Sequence, residues 1–249
     1  MTQVASRRIL IVGAGGLGVP AAMAIRRAGS CAREASGARE ASYAVVLVDP
    51  DPVELSNLCR QVIYREADIG LPKVEAAVRR LACAAAELAI EAHRCALDTS
   101  NAFDLIAACD FVIDATDNPA AKFLINDTCI AAQRPFAYGG VIGMKGQAMT
   151  VIPSRTACLR CLFEEPPDEA GIASCREAGI VGPVAGAIGE VQAAQALQWL
   201  RGERPTLAGK ILTWDGAANG IGNRTRITPV EPRRGCRCGA EREGDSTHA

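Results

Sequence analysis

At 249 residues, with 49% hydrophobic and 22% charged content, the chain is long enough to bury a full-sized core, and extensive intrinsic disorder is excluded. A formal charge of 27 − 28 = −1, a sequence pI near 6.2 and 4% aromatic residues leave neither a basic field nor stacking platforms for nucleic acid. No apolar run reaches the roughly 18 residues of a membrane span, and residues 1–8 carry no hydrophobic signal core, so a cytoplasmic protein without membrane contact is expected.

The opening apolar run, residues 7–12, leads into Gly13-Ala14-Gly15-Gly16-Leu17-Gly18 and then a helical stretch through Ala28 that Gly29 closes. A second apolar run, residues 43–48, ends in Asp49, and a third, residues 111–113, ends in Asp114 shortly before Asp117 and Asn118. Between them lie a helix over residues 72–88 and a strand over 90–95. This alternation predicts an α/β fold built on a mostly parallel sheet covered on both faces. After Pro135 two paired strands, 136–142 and 147–152, flank the turn Gly143-Met144-Lys145-Gly146, so antiparallel members join the sheet. An irregular acidic stretch, 163–182, precedes a helix over 183–200 and two late strands, 210–214 and 225–228, and the charged end from Glu241 reads as disordered. The segment Ala32-Arg33-Glu34-Ala35-Ser36 recurs after one glycine as Ala38-Arg39-Glu40-Ala41-Ser42 and reads as a lengthened surface loop. Its removal restores the interval of roughly 20 residues between glycine turn and acidic strand end that is usual in dinucleotide folds.

The glycine turn, with Gly13, Gly15, Gly16 and Gly18 following a strand, lets backbone approach a phosphate at a helix N-terminus, and Asp49 at the next strand end can accept ribose hydroxyls. These two features fit ATP and NAD equally. Charged residues favour a triphosphate: Arg60 and Lys73 supply cations, and Lys73 sits in a helical first turn, where the macrodipole disfavours it by about 0.3–1 kcal/mol unless it reaches an anion. Asp117 lies past the carboxyl end of a parallel strand, where ligands of open sheets bind, with a cap for the helix that begins at Pro119 as its alternative role.

Eleven cysteines are many for a reducing compartment, while only two histidines, His93 and His248, leave a histidine-dependent hydrolase almost without a base. Cys158-Leu159-Arg160-Cys161 and Cys236-Arg237-Cys238 could together close a tetrahedral zinc site, although the second pair is one residue short of the usual spacing. Cys31, Cys59, Cys83, Cys95, Cys109 and Cys129 read as apolar fillers or incidental thiols. Cys175 stands alone in the irregular stretch beside Arg176, which favours its thiolate.

Together the glycine turn, Val48-Asp49, Leu55-Ser56-Asn57-Leu58-Cys59-Arg60-Gln61, Gly70-Leu71-Pro72-Lys73-Val74, Asp114-Ala115-Thr116-Asp117-Asn118, the C-x-x-C and Ser174-Cys175 resemble the sulfur-carrier adenylyltransferases of the MoeB and ThiF type, relatives of the ubiquitin-activating enzymes. The resemblance implies a Rossmann-like sheet with antiparallel C-terminal strands and a zinc-binding segment, in one ATP-binding domain over residues 1–239 with a disordered tail at 240–249. It implies ATP-dependent adenylation of the C-terminal glycine carboxylate of a small ubiquitin-like carrier protein ending in Gly-Gly, with release of pyrophosphate, by a homodimer. By position, Gly15 and Gly16 would line the nucleotide, Asp49 would hold the ribose, and Asn57, Arg60 and Lys73 would contact phosphates. Asp117 would bind magnesium, Cys175 would serve a later covalent step, and Cys158, Cys161, Cys236 and Cys238 would hold structural zinc. The chain departs from the pattern in four ways. Only residues 1–6 precede Arg7, where relatives carry a helical segment with an arginine for the partner subunit; Lys122 stands where an arginine is usual; the second cysteine pair is short; and the repeated segment is unusual. No sulfurtransferase domain follows in the sequence, so sulfur would come from elsewhere. A non-catalytic accessory module that binds nucleotide or carrier, and an NAD-dependent oxidoreductase, are the competing readings.

Overall fold

The computed structural model describes residues 7–36, 43–82, 88–166, 179–216 and 224–240, with the side chains of 30–36 excepted. Eight strands form one sheet among these residues: β1 (Arg7–Val12), β2 (Tyr43–Val48), β3 (Ala89–His93), β4 (Phe111–Asp114), β5 (Phe136–Ile142), β6 (Lys145–Val151), β7 (Lys210–Asp215) and β8 (Arg224–Pro229). Their order is β3-β2-β1-β4-β5-β6-β7-β8, parallel from β3 to β5 and antiparallel from β5 onward. The helices are α1 (Gly18–Ser36), α2 (Lys73–Ala82), α3 (Ala102–Ala107), α4 (Pro119–Ala131), α5 (Leu159–Leu162) and α6 (Gly182–Leu200).

β1 is apolar without alternation because both of its faces are covered. Ile9 and Ile11 join the cluster under α1, α2 and α6, while Leu10 and Val12 join the opposite cluster with Phe123, Ile125 and Cys129 of α4. The chain leaves β1 for α1 on one face and leaves β4 for α4 on the other. β1 and β4 are neighbours, with Val12 paired to Asp114, so a crevice opens between their carboxyl ends.

The glycine turn closes that crevice from below. Gly13 has φ +103°, and a Cβ there would stand 2.7 Å from the Ala115 carbonyl oxygen; at Gly18 a Cβ would collide with the Gly13 carbonyl oxygen. Both positions are glycine because the turn itself leaves no room for a side chain.

Four expectations change. Gly29 does not end α1, which continues to Ser36, because the roughly 1 kcal/mol that an interior glycine costs is offset by the helix formers Ala32, Arg33, Glu34 and Ala35 beyond it. The first copy of the repeat, residues 32–36, is therefore helical rather than loop; the second, 38–42, with the linking Gly37, lies outside the described residues. The turn between β5 and β6 shrinks to Gly143-Met144, with Ile142 paired to Lys145 and Gly143 at φ +55°. Helix α3 was not expected; at six residues it is shorter than two turns and shows too little periodicity to be read from sequence. Helix α2 is described to Ala82, and residues 83–87 and the end from Glu241 lie outside the described residues.

Candidate functional site: a switch-point crevice and a four-cysteine cluster

Asp49 follows β2 at the rim of the crevice and is 6% exposed. Its Oδ2 accepts from the Ala14 N–H at 2.7 Å and its Oδ1 from the Asp51 N–H at 2.9 Å, which locks it to the glycine turn. Burial pushes its carboxyl pKa above the usual carboxylate value, against the pull of Lys73 and the two N–H donors. Lys73, 7% exposed, places its Nζ 2.9 Å from Asp51 Oδ2 and 3.9 Å from Asp49 Oδ1. The misplaced cation of the first turn thus reaches anions after all. A short antiparallel ladder fixes this register: Val53 N–H donates to the Leu71 carbonyl at 2.8 Å and Lys73 N–H to the Asp51 carbonyl at 2.9 Å, around the bridge between Pro52 and Pro72. Tyr64 joins the parts from below, its hydroxyl donating to the Ala14 carbonyl at 2.7 Å and standing 3.2 Å from the Lys73 carbonyl. Burial raises its phenol pKa far above the usual value, so it remains a donor.

Gly15 and Gly16 differ from Gly13 and Gly18. A Cβ on Gly15 would meet only Gln61 Nε2 at 3.4 Å, and one on Gly16 would meet Ala185 Cβ at 3.3 Å, so the fold makes at most a mild demand for glycine there. Gln61 is 5% exposed and its Oε1 is buried without a hydrogen-bond partner among the described residues. An orphaned buried amide oxygen costs about 1–3 kcal/mol, which a ligand donor would relieve. Arg60 is half-buried beside the same turn, with its backbone against Gly16 and Gly182 and one guanidinium N–H donated to the Ser56 carbonyl at 2.6 Å. Asn57 is largely spent on building this segment. Its Oδ1 accepts from Glu54 N–H at 3.2 Å, and its carbonyl accepts from the N–H groups of Arg60 and Gln61 at 3.1 and 2.9 Å.

On the β4 side, Asp114 is fully buried. Its Oδ1 accepts from the Thr116 N–H at 3.1 Å and hydroxyl at 2.7 Å, and both of its oxygens lie 3.3 Å from Lys122 Nζ. Lys122 also donates to the Gly139 carbonyl at 2.6 Å and stands over the Tyr138 ring. The residue at the usual arginine position is therefore half-buried beneath the loop as its anchor. Helix α4 is capped by Asn118, whose Oδ1 accepts from the Ala121 N–H at 3.2 Å. Asp117 is not the cap. It is exposed at the mouth of the crevice and has no hydrogen-bond or ion-pair partner among the described residues.

On the α4 face, beyond this crevice, the four sulfurs of Cys158, Cys161, Cys236 and Cys238 lie within 4.8 Å of one another. Cys158 is 3.9 Å from Cys161 and 3.7 Å from Cys236, and Cys161 is 3.7 Å from Cys238. A tetrahedron with zinc–sulfur bonds of about 2.3 Å has sulfur–sulfur edges of about 3.8 Å, so the cluster can hold zinc, and the short C-x-C spacing does not prevent it. Shared hydrogen bonding with Cys158 and backbone N–H donors pull the Cys161 thiol down to about 4, while the same contact and burial push Cys158 up and burial raises Cys238 to about 11. Four crowded thiolates repel each other unless a cation sits among them. Of the incidental cysteines, Cys109 and Cys129 are buried fillers, Cys95 is half-buried and Cys59 is exposed. Cys175 and Cys83, and the side chain of Cys31, lie outside the described residues.

The ThiF family description matches residues 1–238. The chain belongs to the ThiF family. Among curated ThiF-like relatives, an Anopheles gambiae protein named adenylyltransferase and sulfurtransferase MOCS3 is 35% identical over 225 residues, which is 90% of this chain and 48% of the relative. The SAMP-activating enzyme E1 of Haloferax volcanii is 35% identical over 213 residues, 86% of this chain and 74% of the relative. The sulfur carrier protein adenylyltransferase of Thermus thermophilus is 35% identical over 212 residues, 83% of this chain and 74% of the relative. This ThiF-family chain thus spans about half the length of the MOCS3 relatives. Escherichia coli MccB, solved with ATP, shares the fold at a TM-score of 0.74 and 19% identity, over 95% of this chain and 67% of that one. No helix among the described residues is long and apolar enough to cross a membrane.

Sequence reasoning missed Asp51, Gln61, Tyr64 and Asp114 as parts of this ThiF-family site. Gln61 and Asp114 stood inside family motifs without an assigned role, and Asp51 had a signal in its two-residue spacing from Asp49. Tyr64 had none, because its partners are backbone carbonyls.

Proposed function

We propose that the protein is an ATP-dependent adenylyltransferase that activates the C-terminal glycine carboxylate of a small ubiquitin-like sulfur-carrier protein ending in Gly-Gly. The unit is residues 1–239, working as a cytoplasmic homodimer. The observation that supports this most directly is Lys73, an ammonium buried at the switch-point crevice and aimed at the rim where phosphates would lie. Curated relatives of the family carry names of the same chemistry. In the reaction a carboxylate oxygen of the carrier bonds to the α-phosphorus of ATP as the bond to pyrophosphate breaks. Arg60 and Lys73 stabilise the negative charge that builds on the phosphates. Gly15 and Gly16 give the phosphates backbone access, with Gly13 and Gly18 shaping the turn, and Asp49 accepts the ribose hydroxyls through lone pairs that Ala14 and Asp51 leave free. Asn57 supports the segment that carries Arg60. Asp117, exposed at the mouth, would hold magnesium, which when bound offsets phosphate charge. Cys175 is assigned to a later covalent step with the carrier. An NAD-dependent oxidoreductase would share the glycine turn but does not account for Arg60, Lys73, Asp117 and the cysteine pairs together.

ATP–pyrophosphate exchange, measured with and without candidate carriers ending in Gly-Gly, tests the reading. Carrier-dependent exchange is expected, and ATP binding without exchange for any carrier would favour the accessory module. Asp49→Ala should weaken ATP binding roughly 10–100-fold, the loss of charge-assisted bonds worth about 1.5–3 kcal/mol. Unchanged affinity by calorimetry in a variant with wild-type circular dichroism would remove Asp49 from the ribose.

The purified protein should carry about one zinc per chain in a structural site, since all four positions are filled by cysteine. Chelation should loosen residues 231–240 before the crevice, because Cys236 and Cys238 tie that segment to Cys158 and Cys161, whereas β8 stays hydrogen-bonded to β7. Mass-spectrometric metal analysis checks it: clearly substoichiometric zinc in protein purified without chelators, or unchanged zinc in Cys238→Ser, counts against a four-cysteine site.

A further inference from the structure

A buried ammonium is tolerated only while it is paired, so the partner that holds Lys73 decides what the crevice can accept. Asp49 is the weaker candidate for that partner, since it stands 3.9 Å away, beyond hydrogen-bond reach. Asp51 is the contact partner at 2.9 Å, and Lys73 is the only partner of its carboxylate among the described residues. The two ends of this pair are unlike. The Lys73 side chain is 9% exposed, whereas the Asp51 side chain is 55% exposed. The ladder around Pro52 and Pro72 fixes the Asp51 backbone, so its carboxylate can swing toward solvent by side-chain rotation alone.

We propose that Asp51 is a place-holder for the phosphates: it neutralises Lys73 in the nucleotide-free protein and releases the ammonium when a polyphosphate enters the crevice. The inference rests on the nucleotide reading above and adds a positioning residue to it, one that acts through Lys73. A carboxylate and a polyphosphate sharing one ammonium repel each other, so each nucleotide must displace Asp51, and the pair lowers affinity for phosphate-bearing ligands specifically. Asp51 also keeps Lys73 from closing onto Asp49 while the crevice is empty.

Calorimetric titration of wild type and Asp51→Asn with ATP and with adenosine tests this. The asparagine variant should bind ATP roughly threefold to tenfold more tightly, with adenosine affinity unchanged, because only the phosphates compete with Asp51. The gain should vanish in a Lys73→Met background, as a pairwise effect must. A second readout needs no nucleotide: acylation of Lys73 by an amine-selective reagent, followed by peptide mass spectrometry with exposed Lys145 and Lys210 as references, should be several-fold faster in Asp51→Asn. ATP affinity that is unchanged or weaker in the variant, or Lys73 labelling at the wild-type rate, overturns the proposal while leaving the adenylyltransferase reading intact. Wild-type protein that binds no ATP overturns both.

Discussion

Asp117→Asn should bind ATP nearly as well as wild type and lose pyrophosphate exchange by roughly 100-fold or more. Metal stabilisation of phosphate charge contributes several kcal/mol, and each 1.36 kcal/mol is a factor of ten in rate. The substitution is structurally clean, because the cap of α4 is Asn118, and Asp117 itself is exposed with no partner among the described residues. The melting temperature should therefore be unchanged within about a degree. Exchange at the wild-type rate in this variant would take the metal away from Asp117, and a large drop in melting temperature would mean that its side chain supports the fold.

Lys122→Met should cost about 3–5 kcal/mol of stability, because it leaves the fully buried Asp114 carboxylate without its cation. At about 2–4 °C per kcal/mol for a chain of this size, the melting temperature falls by roughly 6–20 °C. The Asp114→Asn, Lys122→Met double variant should recover part of the loss, since the uncompensated charge is gone. Thermal denaturation of the three proteins decides it, and a single variant within about 1 kcal/mol of wild type would show that Lys122 is not the counter-ion of the site floor. Asp114 also builds the Thr116 turn from which Asp117 projects, so surviving Lys122→Met protein should show reduced exchange as well.

The parts of the fold legible in sequence were those where burial is complete and local. β1 and β2 end where expected, at the glycine turn and at Asp49, because residues covered on both faces form an unbroken apolar run, and β4 extends one residue past its apolar run to take in the buried Asp114. Asp49 and Lys73 were legible because each breaks a local rule, an acid at the end of an apolar strand and a cation in a helical first turn. Gly29 misled because a helix ends only where the next residues cannot sustain it, and residues 30–36 can; the Gly143-Met144 turn misled because strand twist selects the shorter loop. Tyr64 and the Asp114–Lys122 pair were hidden for another reason. Tyr64 and Lys122 donate to backbone carbonyls, and Lys122 meets Asp114 from the following helix, and spacing along one chain carries no trace of such contacts.

The strand order has a cost that appears before the protein is finished. β1 sits in the middle of the parallel sheet, paired on one side with β2 and on the other with β4, where Ile9 meets Phe111 about a hundred residues downstream. During synthesis the Ile9–Ile11 edge must wait, apolar and unpaired, until β4 leaves the ribosome, which at about 5–20 residues per second takes several seconds. An open edge of that composition is a template for pairing with other chains, so newly made protein should depend on chaperones more than its mature surface suggests. Among the antiparallel strands only β6 waits long, for β7 beyond α6, and the longest such interval belongs to the nucleotide half of the sheet.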